Sequence, residues 1–135
     1  MLAIHKKIMA MESKEFFLFG ASYSFGIWLL YLGLNKWIGG ASGFVGYITK
    51  QFAETWAPEP LTLALAWIIL IAEPLLGLWL ITGKKLRLAW IATAKLMFML
   101  MFGKTLLQDY PGVADNWQYL ALALVCASFA PAEKE

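Results

Sequence analysis

The chain reads as an all-α membrane protein: an antiparallel four-transmembrane-helix bundle with an interfacial amphipathic helix in its first outer loop. Three observations carry that expectation. Hydrophobic residues fill 61% of the 135 positions and charged residues only 15%, against roughly 45–50% and about 25% in soluble domains. Four apolar runs recur, each near the roughly 20 residues that a membrane helix needs. The longest connection between runs places an apolar residue at every fourth position, the pattern of a helix lying in an interface. Residues 1–135 are expected to form a single membrane domain.

The elements follow in order. Residues 1–15 suggest a short basic interfacial helix. Residues 16–35 carry no charge until the end of the run and form the first expected span. Lys6 and Lys7 would suit a signal peptide, but Asn35, Lys36 and Trp37 follow the run in place of a small-residue cleavage site, which favours a retained helix. The first outer loop then begins with Gly39, Gly40 and Gly43. Within it Phe44, Ile48, Phe52 and Trp56 make one apolar stripe, with Lys50, Gln51 and Glu54 between them. Pro58 and Pro60 stop this helix. It reads either as a lid packed over the bundle or as a gate over a cavity. Residues 61–82 form the second span and residues 86–107 the third, joined by the tight turn Gly83-Lys84-Lys85. Residues 113–130 form the fourth; Asp115, Asn116 and Trp117 make its start more polar.

Basic residues set the expected orientation. With four spans, Lys6, Lys7, Lys14, Lys84, Lys85, Arg87 and Lys134 share one side, and Lys36, Lys50 and Lys104 the other. The positive-inside rule then puts both termini in the cytoplasm. Trp37, Trp56 and Trp117 would gather at the outer interface, where amphipathic rings prefer to sit.

Glu73 interrupts the most apolar run, with Pro74 directly after it. A carboxylate at bilayer depth costs about 2.5–3.5 kcal/mol on insertion scales, and such residues are functional candidates by default. Glu73 lies eleven residues before Lys84, and Lys95 lies ten after Lys85. At about 1.5 Å per residue both stand roughly 15–16 Å from the same turn. Provided both face inward, a Glu73–Lys95 contact is therefore expected, either as an ion pair that fixes helix register or as the polar centre of a proton or head-group site. Pro74 frees the carbonyl of Leu70 and kinks the helix. Gly77 permits close helix approach one turn after Glu73, as do Ser22, Gly26 and Gly33 on the first span. Tyr23 and Tyr31 are candidate donors toward the same centre.

Other chemistry is poorly provided for. His5 is the only histidine and Cys126 the only cysteine, too few for a His/Cys metal site. Met97, Met99 and Met101 alternate on a helix and do not converge, so they read as packing residues and not as a copper site. No phosphate-binding glycine loop or nucleophile elbow is present. A net charge of +2, unclustered, gives no nucleic-acid footprint.

Two blocks resemble the DoxX-like family of small four-helix membrane proteins. The first is Gly33-Leu34-Asn35-Lys36 at the end of the first span, followed by a glycine-bearing, partly helical loop that ends in proline. The second runs from Glu73-Pro74-Leu75-Leu76-Gly77 to Gly83, then Arg87. Lys36, Glu73, Gly77 and Arg87 match the family pattern by position. Many relatives carry an arginine near the start of the first span, where this chain has Ala21, Ser22 and Tyr23. The resemblance implies a prokaryotic cytoplasmic membrane and an association with membrane oxidoreductases, including quinone-reducing thiosulfate oxidation, and with redox-stress complexes.

The expected function is thus an integral membrane subunit of a quinone-linked oxidoreductase system, with electrons supplied by a partner and quinone or lipid as the bound molecule. The alternative is a non-catalytic accessory subunit of a larger respiratory or photosynthetic complex, held among lipids and other membrane subunits. A small proton or solute conductor ranks behind both.

Overall fold

A computed structural model describes residues 2–132 and is all-helical over them. Met1 of the expected N-terminal helix and Lys134 of the charge count lie outside the described residues. The helices are α1 (Leu2–Met9), α2 (Ser13–Ile38), α3 (Ala41–Phe52), α4 (Glu59–Thr82), α5 (Leu86–Leu106) and α6 (Tyr110–Phe129). Apolar runs of this length form helices because only internal pairing satisfies the backbone away from water. α2, α4 and α5 are each long and apolar enough to cross a membrane. α6 is 20 residues long and holds Asp115, Asn116 and Gln118 in its first half.

Breaks between helices follow local chemistry. Pro58 and Pro60 open α4, and Gly83 closes it in the left-handed conformation at φ 73°. Lys85 repeats that conformation at φ 48°, and the two residues turn the chain directly into α5. Asp109 caps α6 by accepting a hydrogen bond from the Gly112 amide, with Pro111 in the first turn. The stripe expected to run from Phe44 to Trp56 is cut at Phe52. There the Thr55 hydroxyl donates to the Phe52 carbonyl at 2.7 Å, and Ala57 precedes Pro58, which disfavours helix at that position. Trp56 lies beyond α3 and is exposed.

Four long helices pack into one antiparallel group, α2 against α4 and α5 against α6 as the two closest pairs. The α2–α4 seam is held by backbone proximity. A Cβ at Gly77 would lie 2.5 Å from the Leu30 nitrogen and 2.7 Å from the Gly26 carbonyl oxygen. A Cβ at Gly33 would lie 2.5 Å from Cδ of Pro74. Glycine is needed at both because the neighbours are rigid. Trp90 of α5 is fully buried, and its indole N–H donates to the Ser22 hydroxyl of α2 at 2.8 Å. Around it pack Phe25, Leu29, Leu80, Met97, Ala123 and Cys126.

Candidate functional site

Glu73 is buried on the α2-facing side of α4 and does not meet Lys95. Both its carboxylate oxygens accept hydrogen bonds from Nζ of Lys36, at 2.8 and 3.1 Å. Lys95 has the expected depth but lies on an exposed face of α5, with no ion pair. Equal distance from a turn fixes depth only, while the phase of each helix decides which side a residue faces. Lys36 reaches Glu73 because α2 runs on to Ile38 and because helical side chains lean toward the N-terminal end, which here means back along α2 into the bundle.

The seam carries its own repair. Pro74 has no amide hydrogen, so the Leu70 carbonyl loses its helical donor. The indole N–H of Trp37, next to Lys36, donates to that oxygen at 2.7 Å. Gly33, Lys36 and Trp37 thus all serve the kinked stretch of α4. Trp37 is therefore more than an interfacial ring.

The ion pair forms one wall of a cavity of about 270 Å³ between α2, α3, α4, α5 and α6. The side chain of Lys36 is 25% exposed and that of Glu73 only 6%, so the ammonium fronts the cavity and the carboxylate stands behind it. An ammonium has three donors, and two reach Glu73. The remaining donor is free for an incoming acceptor. Phe44 of α3 sits with its ring centroid 5.5 Å from Nζ, a cation–π distance. Trp28 and Tyr119 add an aromatic wall, their centroids 4.9 Å apart. Gln51 donates to the Tyr47 hydroxyl at 2.9 Å, and Asn116 donates to the Gly112 carbonyl. These bonds use the amide nitrogens and leave the amide oxygens and the tyrosine proton without a bond among the described residues. Lys104 also lines the space and is paired with Asp109 at 3.2 Å.

The other expected site residues lie elsewhere. Tyr23 and Tyr31 are 50% and 66% exposed; Tyr23 stacks on Phe19, and neither donates toward the cavity. Gly77 serves the α2–α4 seam, and Arg87 is exposed at the start of α5. Met97 is buried in the core. Among the described residues no group of three His, Cys, Asp or Glu side chains is placed to hold a metal.

The arrangement offers a cation, amide oxygens and flat aromatic surfaces around a half-open space. It suits a small planar head with a hydrogen-bond acceptor at one edge. No family model matches the chain, and neither a curated protein nor a solved structure does.

Proposed function

We propose that the protein is an integral membrane subunit of a quinone-linked oxidoreductase system, and that the Lys36–Glu73 cavity takes the quinone head. The observation that carries this reading is the free donor of a carboxylate-anchored lysine facing an aromatic-walled cavity. A quinone carbonyl is an acceptor that a lysine ammonium can hold, and its ring can lie along Trp28 and Tyr119. As electrons arrive from a partner subunit, negative charge grows on the carbonyl oxygen. A fixed cation stabilises that charge most when water is excluded. The Lys36–Glu73 pair can also pass a proton to that oxygen. The likeness to the DoxX-like family through Gly33, Lys36, Glu73 and Gly77 points the same way.

In this reading α6 is the fourth membrane span, and α3 is the interfacial lid that closes the cavity. Both termini lie on the cytoplasmic side of a prokaryotic inner membrane. Organic extraction of the gently purified protein should yield about one quinone per chain. Tyr47→Phe leaves the ion pair intact, removes a hydroxyl donor from the cavity lining and should lower that yield several-fold. An extract without quinone rejects the reading.

A second reading has its own support. The pair, the Trp37–Leu70 hydrogen bond and the glycine contacts together lock α2 to α4. That suits a non-catalytic accessory subunit whose cavity holds a lipid. Recovery of lipid in place of quinone, with the protein in a larger native complex, would select it.

A further inference from the structure

Lys95 stands near the middle of α5, nine residues from Leu86 and eleven from Leu106. Those counts correspond to about 14 and 16 Å of helix. An extended lysine reaches roughly 6 Å along a membrane helix. In a membrane-spanning α5 its ammonium therefore falls well short of either head-group layer. Its surroundings are apolar: the outward face of α5 carries Leu88, Phe98 and Phe102, all about half exposed.

The residue opens on a groove of about 450 Å³ between α4 and α5, walled by Ile68, Ala72, Leu75, Ala92, Leu96 and Met99. α4 and α5 are joined by a short turn, Gly83–Lys85, yet touch less than α2 touches α4 or α5 touches α6. Ala72 and Ala92 leave room in the groove for another helix's side chains, the ridge-into-groove geometry of helix packing.

No carboxylate among the described residues is placed to neutralise Lys95. Glu73 is buried and held by Lys36. Among the described residues Glu12, Glu15, Glu54, Glu59 and Asp109 lie at or beyond helix ends. Asp115 lies five residues from the start of α6, which is roughly 9 Å nearer that end of the bundle than Lys95. The lysine side chain leans the other way. Among the described residues, a second copy of the protein therefore brings no unpaired carboxylate to the level of Lys95.

We infer that the α4–α5 groove docks a transmembrane helix of a different protein, one that carries an Asp or Glu near its middle to pair with Lys95. A charge at this depth needs a partner of opposite sign, and the groove supplies the apolar contact around it. The groove shares no lining residue with the cavity, so this inference stands apart from the quinone reading.

The test is site-specific photo-crosslinking in the native membrane, with benzoylphenylalanine placed at Leu75 or Met99. The expected product joins the full chain to a membrane helix with a central Asp or Glu. Lys95→Met should reduce that product by about tenfold and Lys95→Arg should retain it. Reversing both charges, with Lys95→Glu and lysine at the partner's acid, should restore it. The isolated Lys95→Met chain should melt no lower than the parent, which separates docking from folding. Crosslinks only to lipid or a second copy, a captured helix without a central carboxylate, or a yield indifferent to Lys95→Met would each overturn the inference.

Discussion

α4 offers two unlike sides to its neighbours. Toward α2 it presents Leu70, Glu73 and Gly77, and the helices close until a Cβ would strike backbone. Toward α5 it presents Ile68, Ala72 and Leu75, and the helices splay into a groove. The close side joins helices separated by the whole of α3. The open side joins helices that share a tight turn. Proximity in sequence thus says little about which seam is sealed. Small residues in phase on both helices decide it, because in a membrane close packing is a main source of helix association.

The comparison breaks most sharply at Gly77. Gly77→Val puts carbon against two rigid backbone atoms of α2, so the helices must part along the seam. We expect a loss of about 3 kcal/mol or more, read as a large drop in the thermal midpoint in detergent. Ala92→Val in the α5 wall of the groove should cost under about 1 kcal/mol. Similar losses at the two sites would mean that both seams are sealed alike.

The lysines give the next largest contrast. Lys36→Met leaves a buried carboxylate without its cation. Breaking a fully buried pair costs about 3–5 kcal/mol, and the partial exposure of Lys36 brings the expectation to about 2 kcal/mol. The double change Lys36→Met with Glu73→Leu should recover most of it, since apolar side chains can replace a buried pair at little cost. Lys95→Met should leave the isolated chain unchanged or slightly more stable. If Lys36→Met proved harmless, the pair would not stitch the seam.

Depth was legible in the sequence, and facing was not. Distance from the Gly83–Lys85 turn put Glu73 and Lys95 at one level, and the helices keep that level. The error lay in assuming that a hairpin turns both residues inward. A better signal was present: Gly33, Lys36 and Trp37 are three and four residues apart and share a face, as do Glu73 and Gly77. Lys36 is picked out by the family pattern at the end of the first span, but a span ending at residue 35 gives no reason to aim it at Glu73. Backbone pairing carries α2 three residues further. The cavity was less legible still. It draws on five helices, and α3 supplies Phe44, Tyr47 and Gln51 through tertiary packing that periodicity cannot show.

Trp37 allows a finer measurement on the closed side. Trp37→Phe keeps a ring beside Trp67 but removes the donor to Leu70. The carbonyl freed by Pro74 is then unsatisfied, and the expected loss is about 1–2 kcal/mol. Pairing it with Pro74→Ala tests the cause. Alanine restores the helical amide, so the Trp37→Phe penalty should shrink in that background. An undiminished penalty would assign the effect to ring packing.

The smallest effect belongs to the exposed ion pair between α5 and α6. Asp109 joins Lys104 at 3.2 Å and also caps α6 through Gly112. The Gly112 amide, followed by the Lys104 ammonium, holds its carboxyl below the usual carboxylate range. A depressed folded-state pKa gives stability that is present above the unfolded value and lost as pH falls through the folded one. Protection of the first amides of α6 from hydrogen exchange should therefore weaken slightly below about pH 4, after allowance for the intrinsic exchange rate. Asp109→Asn keeps an oxygen for the cap and should flatten this pH response. The Glu73 carboxylate is buried in the α2–α4 seam, so amides of α4 near Glu73 should stay protected across the same window. Equal sensitivity in α4 and α6 would mean that the seam is open to water and that burial does not set the closed side of α4 apart.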